Sequence, residues 1–202
     1  MVGPRRRVML PRVFIDRLQG RCAKLAIGPS TLRGKGTTGV AAAVRLNLAA
    51  IDLAKLAVKS QAAFQIRLCK LTAALEARLP ELGRAWGRAR KALNIFLRDV
   101  TYNADLRDYY GLAKIRGWLE VPLDSHVALG LKSEREGLCL PPWRGIKNLR
   151  PEISEQYQAV ATAIAKRYGI SPVDLDVLYW RATQDGFNPQ TASAPVRFPR
   201  SG

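Results

Sequence analysis

Histidine is almost missing from this sequence: His126 is the only one in 202 residues. Any metal centre or catalytic arrangement that needs two histidines is therefore excluded. The three cysteines, Cys22, Cys69 and Cys139, are far apart and odd in number. They cannot supply a four-cysteine iron–sulfur cluster or zinc site, and they fit a reduced cytoplasmic chain better than a disulfide framework. No metal or cofactor is expected. No apolar run approaches about 18 residues, so no transmembrane helix is expected either. Residues 1–7 are basic, but Pro11, Arg12, Asp16 and Arg17 interrupt the apolar residues behind them, so no signal-peptide core is expected.

Acid is scarce as well. Asp and Glu number 16 against 33 Lys and Arg, a net charge of +17 and a pI near 10.5. That excess exceeds what solubility requires of a small domain. It points to a polyanionic partner, nucleic acid ahead of an anionic membrane surface. Apolar residues make up 48% and charged residues 24%, enough for a real core. The length suits one compact unit or two small lobes.

The charge is uneven along the chain. Residues 1–36 carry nine basic residues against one acid, whereas residues 101–130 carry three against four. The one stretch that keeps its acids contains Asp124. A basic surface with an embedded carboxylate suits an enzyme that grips a polyanion and works on it with an acid or base. Asp105 and Asp108 fit an early helical turn, where the dipole favours them.

Periodicity reads as helix almost throughout. The spacing predicts helices over 39–59, capped by Thr37 or Thr38, over 61–78, over about 82–100, and over 104–118 with a break near Gly111. Two more are expected over 152–168 and 173–183, the latter entered through Ser171-Pro172. Residues 28–37, 133–150 and 184–202 read as loops or tail. No strand series is visible, so the fold class is all-α.

Residues 27–37, IGPSTLRGKGT, superficially resemble a phosphate loop. A working loop needs Gly, four residues, then Gly-Lys-Ser/Thr. Here Pro29 takes the first position and Gly36 replaces the hydroxyl. A basic loop before a helix fits better, with Arg33 and Lys35 near a nucleic-acid backbone. A nucleotide-binding enzyme built on this loop is the weakest alternative.

The segment 119–129, LEVPLDSHVAL, carries more. Pro122 keeps its predecessor out of the helical region. Asp124 then stands at an N-cap position, with Ser125, His126 and Val127 opening a helix. Leu123-Asp124-Ser125-His126-Val127 resembles the V-D-T-H-[VI] signature of the helix-hairpin-helix DNA glycosylase superfamily, the endonuclease III-like proteins. Upstream, Ala89-Arg90-Lys91-Ala92-Leu93-Asn94-Ile95-Phe96-Leu97 is similar to that family's G-R-K-T-A-N-V-V-L. The similarity covers roughly residues 80–130. Lys91 and Asp124 lie 33 residues apart, wider than the family spacing, and Ala89 replaces the hairpin glycine. A second stretch, Leu79-Pro80-Glu81-Leu82-Gly83-Arg84, resembles the hairpin L-P-G-V-G-R and would put Ala85 at the lysine position.

The resemblance implies a two-lobed glycosylase-like fold, with residues 1–202 a single catalytic unit. The middle helices, about 38–130, would form one lobe. The N-terminal segment and residues 131–202 would form the other. It implies removal of a base from double-stranded DNA by a monomer, without cofactors. Asp124 would be the catalytic carboxylate, and Lys91 the amine of bifunctional members. Given the spacing, a monofunctional enzyme using water is the expectation. The substrate would be a lesion or a modified base, such as a modified cytosine in foreign phage DNA. Tyr102 and Asn103 are candidates for the base pocket, and Arg33, Lys35, Arg88, Arg90, Ser125 and His126 for DNA contact. The rival class is a non-catalytic helical DNA-binding protein in which Asp124 is only a cap.

Overall fold

A computed structural model describes residues 10–27 and 39–179. The reading of residues 28–37, with Arg33 and Lys35, and of residues 184–202 lies outside the described residues. All regular structure in the described part is helical, as the periodicity predicts.

The first helix, α1 (Arg12–Ala26), buries Ile15, Gln19, Cys22, Ala23 and Ala26 at helical spacing. After Gly39, in the left-handed conformation at φ 80°, comes α2 (Val40–Ala49). It is shorter than the 39–59 helix expected, and a 3-10 turn follows at Leu53–Leu56. The break has a partner in α1. The Gln19 amide donates to the carbonyls of Ala49 and Ile51 at 2.9 and 2.7 Å, taking up acceptors that a continuous helix would have used itself.

Ser60 caps α3 (Gln61–Ala77) by accepting from the Ala63 N–H. The central helix is α4 (Trp86–Tyr102), followed by α5 (Ala104–Tyr109) with Asn103 as its cap. Gly111 breaks the chain there, and a 3-10 helix runs over Leu112–Trp118. An extended segment leads to α6 (Ser125–Ser133). The long α7 (Pro151–Tyr168) begins with proline in its first turn and ends at Gly169, at φ 69°. Pro172–Asp174 form a 3-10 turn before α8 (Leu175–Tyr179).

Two hydrophobic cores organise these helices. The first gathers Ile15, Val44, Leu48, Phe64, Leu68, Leu93, Phe96, Leu97 and Ile115. The second is built on Val121, Leu123, Val127, Leu131, Tyr157, Ile164 and Leu175. Their membership groups the described helices by core. Among the described residues, the helix α1 packs with α2, α4 and α5 in the first core, which Val173 also joins. Residues 121–131 belong to the second core, so the border falls near residue 120. The reason is the apolar stripe of α1, which fits the groove between α2 and α4.

The helix α4 serves both cores. Its Ala89, Ala92, Leu93, Phe96, Leu97 and Val100 enter the first, and Trp86 packs against the second. Gly87 permits a close approach to the 3-10 turn Ile146–Asn148: a Cβ there would stand 2.2 Å from the Ile146 carbonyl oxygen. Elsewhere in the second core, Gly130 of α6 faces the Tyr179 ring of α8 with no room for a side chain. Glu134 is a hub for this end of the molecule, accepting from the hydroxyls of Tyr168 and Tyr179 and pairing with Arg167.

Candidate active site

The helix α6 starts where the sequence predicts, and Asp124 is its N-cap. Backbone dihedrals of φ −144° and ψ −171° place Asp124 in extended conformation. Its Oδ1 accepts from the N–H groups of His126 and Val127 at 2.9 and 3.0 Å. These are two of the donors that the first helical turn leaves without intrahelical partners. A cap needs only that oxygen.

The second oxygen faces a lysine from the other core. Lys91 lies in the second turn of α4, and its Nζ stands 3.2 Å from Asp124 Oδ2. The lysine side chain is 10% exposed and the aspartate 23%. The separation of 33 in sequence does not keep the two apart; the fold brings them together.

Around this pair several buried polar groups are paired, although Asn94 Oδ1 has no hydrogen-bond partner among the described residues. Glu120 accepts from Asn94 at 3.0 Å and pairs with Arg90 at 3.1 Å. Arg90 further donates to Thr72 Oγ1 at 2.8 Å and lies over the Trp86 ring, 5.1 Å from its centre. Gln158 of α7 braces the extended segment: its amide donates to the Val121 carbonyl at 2.9 Å and accepts from the Val121 N–H at 3.0 Å. The acids of residues 101–130 thus have a structural use, since Glu120 and Asp124 neutralise cations buried on α4.

A third carboxylate comes from far along the chain. Asp176 of α8 is buried and ion-paired with Arg98, one helical stretch beyond Lys91. Burial pushes its carboxyl up to about 6; the Arg98 charge opposes that rise, the Asp124 charge adds to it, and Lys91 opposes it.

The other residues singled out in the sequence fall in different places. Arg88 and Arg90 are buried, 7% and 6% exposed, because α4 is enclosed on nearly every side. The expectation that they reach DNA is corrected for Arg90, whose guanidinium is held by Glu120, Thr72 and Trp86. Arg88 is likewise not a surface residue. Ser125 and His126 are exposed in the first turn of α6, beside Asp124. Tyr102 and Asn103 are not brought to the pair. They lie at the far end of α4, about 16 Å along the axis from Lys91 at 1.5 Å per residue. The Tyr102 hydroxyl donates to Asp174 at 2.6 Å, and Asn103 accepts from the Leu106 N–H as the cap of α5.

Sequence reasoning missed Glu120, Gln158, Asp176 and the approach at Gly87. Only Glu120 had a local signal, as an acid in the one stretch that keeps them. Comparison of the chain with protein-family models, with curated proteins and with solved structures finds no match.

Proposed function

We propose that this protein is a DNA N-glycosylase that extrudes and removes a damaged or modified base, with Asp124 and Lys91 as the reacting pair. One observation carries the reading. An N-cap accounts for Asp124 Oδ1, but not for a lysine from the opposite core, nine-tenths buried, 3.2 Å from Oδ2. The family resemblance assigns catalytic roles to these same two residues.

The chemistry suits the pair. Breaking an N-glycosidic bond builds positive charge on the sugar, and a fixed carboxylate stabilises it. The helix-dipole end and two N–H donors hold Asp124 in place for that task. Lys91 then has two routes. In the first, it passes a proton to Asp124, and the freed Nζ attacks C1′. The base departs with the glycosidic electron pair and takes up a proton, leaving Nζ joined to C1′ by a single bond; the C1′–O4′ bond then breaks, O4′ takes up a proton, and the nitrogen lone pair closes an imine to the opened sugar. In the second, Lys91 stays an ammonium ion paired with Asp124, and a water activated by the carboxylate attacks C1′. The expectation of a purely hydrolytic enzyme rested on the wide Lys91–Asp124 spacing, on Ala89 in place of the hairpin glycine, and on the second alignment that puts Ala85 at the lysine position. The 3.2 Å contact answers the first of these and supports the amine route. The observation on the other side is the ion pair itself, which leaves Nζ no free electron pair until a proton moves.

Incubation with DNAs carrying lesions and modified cytosines, followed by mass spectrometry of released bases, tests the reading. Release that Asp124→Asn abolishes is the expected result. Borohydride reduction during turnover should link the protein to DNA, and Lys91→Gln should prevent it. Release without such a link assigns the hydrolytic route. Salt-sensitive DNA binding with no release from any substrate would leave a non-catalytic DNA-binding protein, in which the pair is only structural. The crevice beside Lys91, too narrow to hold a water molecule, is what favours that rival.

A further inference from the structure

Next to the pair lies a groove of about 760 Å³, formed where the start of α4 meets residues 141–153. Trp86 and Trp143 line it, and Arg144, Lys147 and Arg150 contribute its charge. No acidic side chain lines it, and none of these three cations makes an ion pair among the described residues. That contrasts with Arg90, Lys91, Arg98 and Arg167, each of which has a carboxylate partner.

Both indoles are fixed before any ligand arrives. Trp143 donates from Nε1 to Ser125 Oγ at 3.2 Å, and its ring meets Tyr157 edge-on at 5.7 Å. Trp86 carries the Arg90 guanidinium over its ring. The Ser125 bond ties the groove to the residue after Asp124, and Leu149 lines both the groove and the crevice at Lys91. Fixed aromatic rings with unpaired cations beside them form a stacking platform with a phosphate grip. A base inside an intact duplex has both faces covered by its neighbours, so it offers no face to an indole. The occupant has to be unstacked.

We infer that this groove binds an unpaired nucleotide of the DNA strand beside the one at Lys91 and Asp124, so that single-stranded or locally melted DNA is the preferred substrate. The inference rests on the glycosylase reading for what happens at the pair, but binding in the groove is independent of it. Arg144, Lys147 and Arg150 would hold phosphates, and Trp143 would carry the base.

The test uses the full chain in the Asp124→Asn background and unmodified oligonucleotides, single-stranded and as the duplex of the same sequence, at fixed salt. Fluorescence anisotropy should give tighter binding of the single strand. Trp143→Ala should weaken single-strand binding about 5- to 150-fold, the range for one base stacked on one aromatic ring. Because Trp143 also packs on Tyr157, the exposed pair Arg144→Gln/Lys147→Gln gives a second reading that does not endanger folding. It should lower single-strand affinity more than duplex affinity. Equal affinity for both forms, or variants that leave the single strand bound as before, would overturn the inference. Base release from modified DNA by the wild-type chain is scored separately. Release with no groove dependence removes the groove and keeps the glycosylase. A groove-dependent single-strand preference with no release does the reverse.

Discussion

Replacing Asp124 with asparagine separates the two jobs that one carboxylate performs. The cap survives: asparagine accepts from the His126 and Val127 N–H groups about as well as aspartate, so that part costs a few tenths of a kcal/mol at most. The charge does not survive. Lys91 remains nine-tenths buried with its partner neutralised. Breaking a fully buried pair costs about 3–5 kcal/mol, and the partial exposure of Asp124 brings the expected loss down to about 1–3 kcal/mol. Lys91→Met in the same chain removes the stranded charge and should recover most of that loss. Urea denaturation of the wild type, both single variants and the double variant yields the coupling energy, expected at about 1–2 kcal/mol. The same four proteins are assayed for base release. Asp124→Asn should lose at least about 100-fold, the cost of removing one preorganised charge-stabilising group. Stability effects that simply add would show that the two side chains are not paired. Undiminished release by Asp124→Asn would remove the carboxylate from the chemistry.

Gly87→Ala gains about 1 kcal/mol of helix propensity but drives a methyl group into the Ile146 carbonyl; a backbone atom yields poorly, so a net loss of about 1–2 kcal/mol is expected in urea. Equal or greater stability would refute the close approach. Asp176 has its carboxyl raised from 3.8 to about 6 in the fold, so its contribution to stability is fully present below about pH 4 and lost as pH rises through about 6. The loss should be about 3 kcal/mol, and Asp176→Asn should remove that part of the pH dependence; an unchanged profile would contradict the burial argument. DNA affinity should fall steeply with salt, since several phosphates are neutralised, and a slope near zero would eliminate the nucleic-acid reading. Charge removal at Arg90 should lower stability rather than affinity, because its guanidinium is spent on Glu120 and Thr72.

Helix positions were legible where a local pattern sufficed. The stop after Ala77, the break at Gly111, the Asp124 cap and the Ser171-Pro172 entry each rest on residues within a few positions of each other. The end of α2 was not legible, because the group that satisfies its last carbonyls is Gln19, some thirty residues earlier. The same holds within the site. Asp124 announces itself through its neighbours and Lys91 through the motif around it, but only the fold sets the lysine against Oδ2. Arg88 and Arg90 looked like surface charges because the apolar residues of α4 mark only one buried face. Arg90 is covered by Thr72 of α3 and Glu120, from elsewhere in the chain, and by the Trp86 ring.

Lys91 is carried by a helix of the first core, and Asp124 caps a helix of the second. The site therefore belongs to neither half alone and exists only while the halves are docked. It acts as a latch whose two parts are mounted on separate bodies. If the proposed chemistry holds, a perturbation that loosens docking while both cores stay folded would extinguish base release ahead of any loss of helicity. On the same reading, neither of two fragments divided near residue 120 would hold the Lys91–Asp124 pair, and the pair would return only on their reassembly.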